Sequence, residues 1–315
     1  MDERPTLAVD DLVRRFGDLT AVDGVTFHIA PGEAYGLLGP NGAGKTTTIS
    51  MAMGLLEPDA GTVEVAGVDM ATEPMRAKRQ VGYVPQEIAL YPDLTARENL
   101  DFVARLHGLD ASTRRARIGE ALDLVGLADR ADERIDTYSG GMQRRINIAA
   151  GLLHHPSLLI LDEPTVGVDP QSRNAILEGV AELSRTGMSI LYTSHYMEEV
   201  ERLCDRVGIV DGGRLIAEGT QRELVSRVGS TDRVELAVDG DAELIAKRIG
   251  GLDTVIEATA EHDDGAWTVR VLTADARRHL ATIVAAAEGR VIGVEIVEPD
   301  LESVFLSLTG RGLRD

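Results

Sequence analysis

The sequence predicts an α/β fold for residues 5–228 and a smaller α+β domain for residues 232–315. Two observations predict the first part. A glycine-rich segment, residues 39–47, lies between a strand-like apolar run and a helix-like run. Continuous apolar runs at 158–161 and 189–193 are typical of parallel strands covered on both faces. The second part follows the pattern β-α-β-β-α-β, which is the ferredoxin-like order.

The glycine-rich segment fits the phosphate-binding pattern G-x-x-x-x-G-K-[ST] between a strand and a helix. Its residues are Gly39, Pro40, Asn41, Gly42, Ala43, Gly44, Lys45, Thr46 and Thr47. Its three glycines can adopt positive φ and leave no Cβ between backbone and ligand, so we expect successive N–H groups to converge on a phosphate. Lys45 would reach the outer phosphates of a nucleoside triphosphate, and the Thr46 hydroxyl would ligate Mg²⁺. A glycine-rich turn without a ligand is the alternative.

A second nucleotide-site signature follows the apolar run Leu158–Leu161, which leads into Asp162-Glu163-Pro164. A carboxylate at the tip of a buried strand beside the loop can hold Mg²⁺ through its hydration shell, and we expect Asp162 to do so. Glu163 can accept a proton from an attacking water, and such general-base help is worth about 10²–10⁴ in rate. Taken alone, the same tripeptide is also typical of a turn that starts a helix.

Composition limits the partners and the compartment. Lys+Arg number 32 against 52 Asp+Glu, and the resulting charge of -20 repels nucleic acids and anionic lipids. Cys204 is the only cysteine, which excludes an internal disulfide and fits a reducing cytoplasm. The acidic start Met1-Asp2-Glu3 is unlike a signal peptide, and no apolar run approaches the length of a membrane span. We therefore expect no transmembrane segment and no nucleic-acid partner.

Residues 88–155 predict a helical subdomain within the first domain. Thr95 and Glu98 fit a capping box at the start of one helix. Ser112 and Ser139 are the predicted N-caps of the next two helices.

One further segment, residues 138–143, reads Tyr-Ser-Gly-Gly-Met-Gln and completes a set of motifs. The set comprises this segment, the phosphate loop, Asp162-Glu163, Gln86 and His195. It resembles the ATP-binding cassette (ABC) transporter ATPase family over about residues 5–225. The resemblance implies a P-loop NTPase cassette with a mixed sheet and a helical subdomain, and ATP and Mg²⁺ as cofactors. Tyr138 and Met142 replace the family's commoner leucine and glutamine, and Gln143 follows one place late.

The resemblance assigns roles to the remaining site residues. Ser139, Gly140 and Gly141 would cap the γ-phosphate of ATP bound to the opposing subunit, which implies a homodimer with shared sites. His195 would contact the γ-phosphate. Gln86 would sense Mg²⁺ and connect the ATP site to a transmembrane partner. Asp169 would be the acid of a dimer-contact loop, and Phe16 would stack on adenine.

Two of these residues have other interpretations that the sequence alone leaves open. A lone histidine at a strand end, such as His195, is usually structural. Phe16 lies in an edge-strand pattern, where a phenylalanine often packs in the core.

The C-terminal residues narrow the resemblance. Residues 298–310 resemble the ending of separate-chain ATPase subunits of drug and antibiotic exporters, of the daunorubicin-resistance type. The sequence thus indicates the ATP-hydrolysing subunit of an exporter. It would lie at the cytoplasmic side of the cell membrane and dock on a separate permease near Gln86 and the helical subdomain. The alternatives are a soluble ABC ATPase acting on ribosomes or DNA, and an importer ATPase, which only the tail disfavours.

The tail has apolar residues for a core of its own. The predicted core residues are Val234, Leu236, Val238, Trp267, Val269, Val271, Ile283, Val284, Val294 and Ile296. The last helix, with Val304, Phe305 and Leu308, is the predicted contact with a partner.

Overall fold

The computed structural model describes residues 4–227, 232–263, 266–288, 290–297 and 300–309. These residues form two compact units, the first ending at Thr220 and the second beginning at Gln221. None of the described helices is both long and apolar enough to cross a membrane. The predicted boundary at residues 229–231 lies outside the described residues, as do Glu298, Pro299 and Gly310 of the C-terminal motif.

The first unit contains ten strands and seven helices among its described residues. The strands are β1 Leu7–Phe16, β2 Leu19–Ile29, β3 Ala34–Leu38, β4 Ala60–Val65, β5 Val68–Asp69, β6 Val81–Val84, β7 Leu158–Asp162, β8 Ser189–Ser194, β9 Arg206–Asp211 and β10 Arg214–Gly219. The helices are α1 Lys45–Ala52, α2 Pro74–Lys78, α3 Ala96–Leu106, α4 Ala111–Leu124, α5 Gly140–Leu152, α6 Pro170–Arg185 and α7 Met197–Leu203.

Two sheets organise this unit. One is antiparallel, in the order β2-β1-β4-β5, and the other has the order β10-β9-β3-β8-β7-β6. The second sheet is parallel from β9 to β6, and β10 joins it antiparallel to β9. Every residue of β3, β7 and β8 is buried, as their apolar runs predict. The carboxyl ends of these three strands therefore meet at one edge, where open α/β sheets bind ligands.

The first two predicted strands, residues 7–9 and 12–16, are one continuous strand. Its pairing shifts beside Asp11, whose φ is 50°. Strand β10 was not predicted, because its sequence lacks a clear apolar alternation: only Ala217 and Gly219 are buried.

The helical subdomain is confirmed. Helices α3, α4 and α5 pack around a separate apolar core that includes Leu100, Leu122 and Ile146. Both halves of the predicted capping box form at Thr95 and Glu98, and Ser139 caps α5.

The prediction that Ser112 caps α4 is wrong. Asp110 is the N-cap, and its carboxylate accepts the backbone N–H groups of Ser112 and Thr113. An aspartate two residues upstream was an equally good cap by composition, so residue type alone could not decide between them.

The second unit has the predicted order of elements. Its elements are α8 Gln221–Arg227, β11 Asp232–Val238, α9 Ala242–Ile249, β12 Val255–Asp263, β13 Ala266–Thr273, α10 Ala276–Ala286, β14 Val291–Val297 and α11 Leu301–Thr309. Its sheet is antiparallel in the order β12-β13-β11-β14. This order is the one that a ferredoxin-like β-α-β-β-α-β unit adopts, and the prediction is confirmed.

Three details of the second unit differ from the prediction. Trp267 and Val294 are 37% and 44% exposed, so they do not belong to the buried core. Val304 and Phe305 are buried, so they are not free to contact a partner; Leu308 is 46% exposed. Helix α11 packs against α8, which explains why α8 belongs with this unit rather than with the first.

Candidate active site

A cleft of about 740 Å³ opens at the edge where β3 and its neighbours end. Most of the predicted site residues come together there. Its lining residues are Phe16, Leu19, Thr20, Ala21, Pro40, Asn41, Gly42, Gly44, Lys45, Thr46, Thr47, Gln86, Glu163, Val166, His195, Gly212 and Gly213. The glycine-rich loop, the residue after Asp162 and the residue after β8 thus face one space.

The three loop glycines are needed for different reasons. Gly42 and Gly44 have φ of 80° and 103°, as predicted. A Cβ at Gly44 would also lie 2.5 Å from the carbonyl oxygen of Ala21. Gly39 does not need a positive φ, which corrects the prediction. A Cβ there would lie 2.3 Å from the carbonyl oxygen of Val210, so close packing of the loop on β9 requires glycine.

Lys45, the first residue of α1, is buried at the floor of the cleft. Its Nζ donates to the carbonyls of Gly39 at 2.6 Å and Pro40 at 3.1 Å. Burial lowers the pKa of this ammonium, and the nearby carboxylate of Glu163 opposes that shift. The nearest carboxylate oxygen, Oε1 of Glu163, lies 3.5 Å away. The ammonium is therefore held at the loop, within reach of anionic groups.

Asp162 is the last residue of β7, and only 3% of it is exposed. Burial raises the pKa of this carboxyl, although Thr193 Oγ1 donates to Oδ1 at 2.8 Å. Burial and the Asp162 carboxylate together raise the pKa of Tyr83 to about 12. A buried carboxylate whose ionised form is disfavoured is stabilised when a cation lies beside it, which fits the predicted Mg²⁺ role.

Glu163 follows with a φ of 46°, an uncommon conformation for a non-glycine residue. Its backbone N–H is directed at β8, 3.1 Å from Thr193 Oγ1 and 3.2 Å from the Thr193 carbonyl. The side chain is buried, and its Oε2 lies 3.2 Å from Nδ1 of His195. Backbone strain of this kind costs of order 1–3 kcal/mol and is typical of functional sites. Here it directs the carboxylate into the cleft.

Phe16 and Gln86 lie at the rim. Phe16 is 48% exposed, which contradicts the alternative that it packs in the core. The Arg14 guanidinium lies 5.0 Å from the centre of its ring. The backbone of Gln86 is fixed because its carbonyl, like that of Pro85, accepts from Arg144. Its side chain is exposed at the cleft.

The signature segment lies elsewhere in the first unit. Among the described residues that line the cleft, none comes from Ser139, Gly140 or Gly141. Ser139 and Gly140 are exposed. A Cβ at Gly141 would lie 2.1 Å from Ser172 Oγ, whereas one at Gly140 would meet no described atom within 4 Å. Gly141 is thus explained by packing on α6, and Gly140 presents open backbone.

Asp169 also lies away from the cleft. It is the N-cap of α6 and accepts the backbone N–H of Ser172 at 3.0 Å. Hydrogen bonds from Ser172 hold the pKa of this carboxyl below its ordinary value. The structure therefore shows that Asp169 caps α6, and the dimer contact stays a prediction.

Comparison with known proteins agrees with this site. The family model described as "ABC transporter" matches residues 22–166. The linearmycin resistance ATP-binding protein LnrL of Bacillus subtilis (strain 168) is 48% identical over 312 residues, which are 98% of this chain and 100% of that protein. The chain belongs to the ABC transporter family.

Another relative and two solved structures are also similar to this chain. The Nod factor export ATP-binding protein I of Ralstonia nicotianae (strain ATCC BAA-1114 / GMI1000) is 40% identical over 99% of this chain and 96% of its own length. A solved ATP-binding subunit of an ABC transporter has a TM-score of 0.64 and 34% identity, covering 70% of this chain and 92% of its own. CbiO1 of Clostridium perfringens, part of the ABC transporter complex cbiONQ, has a TM-score of 0.65 and 28% identity, and the match covers 72% of this chain and 95% of CbiO1. The cassette fold, ATP binding and ATPase activity predicted from the sequence are confirmed by this membership.

The departures from the ABC signature are compensated locally. Tyr138 donates through its hydroxyl to the carbonyl of Arg130 at 2.5 Å, and Met142 Sδ lies 3.4 Å from Arg130 Nη1. The amide of Gln143 donates to the carbonyls of Ile135 and Tyr138. The three unusual residues therefore fix the segment that precedes Ser139.

Sequence reasoning missed several residues of the ABC site. Thr193 holds both Asp162 and Glu163, but it is one polar residue inside an apolar strand, and nothing in the pattern distinguishes it. Residues 19–21 and 212–213 line the cleft through long-range contacts between β2 and the turn before β10. The Gly-Gly pair at 212–213 signalled only a turn.

Proposed function

We propose that this chain is the ATP-hydrolysing subunit of an exporter and powers efflux through a separate transmembrane permease. The observation that carries the proposal is the match of 98% of the chain to all of a subunit named for linearmycin resistance. A second relative matched over 99% of the chain is named for Nod factor export. These matches extend through the second unit, which a nucleotide cassette alone does not need. They favour an exporter over an importer or a ribosome- or DNA-directed ATPase.

The cleft fits ATP with Mg²⁺. Lys45 and the N-terminus of α1 offer positive charge to phosphates. Asp162, Thr46 and Gln86 would hold the cation: Asp162 is a buried carboxyl at the end of β7, and Thr46 and Gln86 line the cleft. The metal would neutralise charge on the phosphate oxygens. Phe16, exposed at the rim, is available to stack on the base.

Glu163 would accept the proton of the attacking water. Its Oε2 contacts Nδ1 of His195, and its Oε1 lies 3.5 Å from the ammonium of Lys45. These two contacts orient the carboxylate. The imidazole of His195, whose ring centre lies 4.1 Å from that of Tyr196, lines the cleft where the terminal phosphate would lie.

The same proposal includes a homodimer in which Ser139 and Gly140 of one chain complete the ATP site of the other. Both residues are exposed at the start of α5, and Gly140 presents open backbone N–H at a helix N-terminus. The test is size-exclusion chromatography of the Glu163→Gln variant with ATP and Mg²⁺, which should yield a dimer. Adding Ser139→Glu should abolish that dimer by charge repulsion, and the resulting monomer should still bind ATP. Ser226→Glu, at an exposed serine of α8, is the control.

A docking surface for the permease is the remaining component. An apolar groove of about 430 Å³ lies between α3 and the segment that follows Gln86. Its lining residues are Ile88, Ala89, Leu90, Tyr91, Asn99, Phe102, Val103 and Leu106. Leu106 is 71% and Tyr91 54% exposed. The groove is thus continuous in sequence with the predicted Mg²⁺-sensing residue, which supports it as the site for a helix of the permease.

The experiment for the whole proposal is co-expression with a candidate membrane subunit, sought among the reading frames that neighbour this gene, followed by reconstitution in proteoliposomes. ATPase activity should rise when the permease is present, and substrate should accumulate on the side away from the ATPase. Leu106→Ser should abolish co-purification and leave the basal activity of the free chain unchanged. Leu55→Ser, at a residue 67% exposed and outside the groove, should keep both co-purification and basal activity. ATP-dependent uptake in place of efflux would contradict the exporter assignment.

A further inference from the structure

The carboxylate of Glu199, in α7, is fully buried and accepts four hydrogen bonds. Thr165 Oγ1 donates to Oε1 at 2.7 Å, and Arg173 Nε donates to the same oxygen at 2.6 Å. The Tyr192 hydroxyl and Ser194 Oγ donate to Oε2 at 2.8 and 2.9 Å. Four donors satisfy a buried carboxylate that would otherwise be costly. They come from three parts of the chain: the segment after β7, helix α6 and strand β8.

The first link from Glu199 leads to His195. Ser194 Oγ also accepts the backbone N–H of Tyr196 at 2.9 Å, so the residues on both sides of His195 are fixed. The Arg173 guanidinium lies 4.5 Å from the centre of the Tyr196 ring, and that ring contacts the His195 ring, with centres 4.1 Å apart and planes tilted by 40°. Both routes end at the imidazole that contacts Glu163.

The second link leads to the segment after Glu163. Thr165 is two residues beyond Glu163 and directly precedes Val166, which lines the cleft. Arg173 lies in the first turns of α6, the helix that Asp169 caps. One carboxylate therefore joins the base-bearing segment, the start of α6 and the strand end that carries His195.

We propose that Glu199 is a positioning residue for ATP hydrolysis. It fixes His195 and the segment 165–169 in one arrangement, so that the imidazole stays against the Glu163 carboxylate. Glu199 is not among the described residues that line the cleft, and it acts through Ser194, Thr165 and Arg173. This inference rests on the proposed roles of Glu163 and His195.

The competing explanation is that Glu199 only stabilises the core. The variant Glu199→Gln distinguishes this explanation from a positioning role. The amide keeps the volume, and its oxygen can still accept from Arg173 and Thr165. Its NH₂ group then faces Tyr192 and Ser194, so those hydroxyls must reverse and accept. The charge opposite Arg173 is lost and the Ser194 anchor is rearranged. The core stays filled while the positioning network changes.

The experiment measures kcat and the ATP dissociation constant of Glu199→Gln, together with thermal unfolding, at a temperature where all variants are folded. Glu64→Gln is the control, because it makes the same substitution at an exposed glutamate of β4 outside the Glu199 network. We expect kcat of Glu199→Gln to fall about tenfold with the dissociation constant within twofold, and the control to match the wild type. If Glu199→Gln does not fold, Ser194→Ala replaces it as the test variant. This smaller change in the same network should also lower kcat.

A second readout does not depend on activity. The His195 ring resonances are followed by NMR and assigned by comparison with His195→Gln. They should shift in Glu199→Gln and Ser194→Ala but not in Glu64→Gln. The inference requires that Glu163→Gln is inactive, as the proposed site predicts. If Glu199→Gln then shows unchanged His195 resonances and a kcat within twofold of wild type, the inference is overturned. If Glu163→Gln hydrolyses ATP normally, the proposed site itself fails, and the His195 resonances alone test whether Glu199 positions the imidazole.

Discussion

The Nδ1 atom of His195 lies 3.2 Å from Oε2 of Glu163, and sheet register fixes this contact. Strands β7 and β8 are adjacent and parallel, with Asp162 paired to Thr193. Glu163 directly follows the end of β7 and His195 directly follows the end of β8, so both side chains emerge at the same edge. Nζ of Lys45 lies 3.5 Å from the other oxygen of the carboxylate. Glu163 is thus held between a cation and an imidazole, oriented into the cleft.

Replacing Glu163 by Gln should preserve ATP binding and slow hydrolysis by about 10²-fold or more. The amide is nearly isosteric with the carboxylate, so the cleft keeps its shape, but it cannot take the proton of water. Steady-state phosphate release and ATP titration measure the two effects separately. Glu64→Gln, at an exposed residue of β4, is the control and should behave as wild type. Hydrolysis by Glu163→Gln at more than a tenth of the normal rate would exclude Glu163 as the base.

Replacing Lys45 by Ala should abolish ATP binding and turnover together. The ammonium is 5% exposed and donates to two carbonyls of the loop, so its loss removes the phosphate partner and loosens the loop. Lys247→Ala, at an exposed lysine of α9, is the matched control. Fluorescent-nucleotide titration and phosphate release are the measurements. An activity above half that of wild type in Lys45→Ala would contradict the assignment of the loop.

The sequence predicted the parts of the site that depend on local pattern. A buried parallel strand leaves a continuous apolar run, and the end of one such run located Asp162 and Glu163. The glycine-rich pattern located Lys45, whereas the role of His195 came from the family resemblance. The ferredoxin-like order of the second unit was equally visible in the alternation of strand and helix patterns. These features follow from the periodicity of each element and need no knowledge of distant contacts.

The features that sequence could not predict depend on contacts between distant segments. The Glu199 network joins residues from 165 to 199, and its members are ordinary polar residues in sequence. Gly39 is required by its approach to Val210, which no local pattern encodes. Trp267 alternates with the buried Val269 and Val271 and so shares their strand face, but it lies near the start of β13, opposite Val238, and 37% of it stays exposed.

Replacing Phe16 by Ala should weaken ATP binding about tenfold, because aromatic stacking on a base is worth about 1–3 kcal/mol. The side chain is 48% exposed at the end of β1, so its removal should barely change stability. Phe16→Tyr keeps the ring and should restore the affinity. Calorimetric titration with ATP and with inorganic triphosphate distinguishes the base contact, since only ATP binding should respond. Equal losses for both ligands would indicate a general change in the cleft.

The histidine pair in the helical subdomain predicts an acid-sensitive stability. The rings of His107 and His154 stack with centres 3.8 Å apart, and His154 Nε2 is 3.0 Å from the Val81 carbonyl. Burial, with the charge of His107 second, lowers the pKa of His154 to about 4; burial also lowers that of His107. The ordinary value is about 6.5. Between these values the unfolded chain binds a proton that the folded chain does not, so stability falls as pH decreases through this window.

Urea unfolding between pH 7.5 and 5 measures this effect. The free energy of unfolding of the wild type should decrease as the pH is lowered, and His154→Gln should lose less over the same range. His28→Gln, at an exposed residue of β2, should follow the wild type. The same decrease in all three proteins would show that the stacked pair is not the cause.

Removing the second unit should leave a folded cassette that still binds ATP. All described residues that line the cleft belong to the first unit, which ends at Thr220 and has its own apolar core. The cut belongs after Thr220 rather than near residue 230, because α8 packs against α11 of the second unit. A chain ending at Arg227 is the comparison: it keeps α8 without its partner helix and should unfold at a lower temperature than the shorter chain.

The shorter chain, ending at Thr220, should lose dimer or permease association more than it loses nucleotide affinity. None of the described residues of the second unit lines the cleft, and this unit has exposed apolar side chains such as Leu306 and Leu308 on α11. ATP titration and co-purification with the membrane subunit are measured on the same preparations. The dissociation constant should change by less than tenfold, which corresponds to about 1.4 kcal/mol. A larger loss of ATP affinity with normal permease binding would mean that the second unit contributes to the nucleotide site.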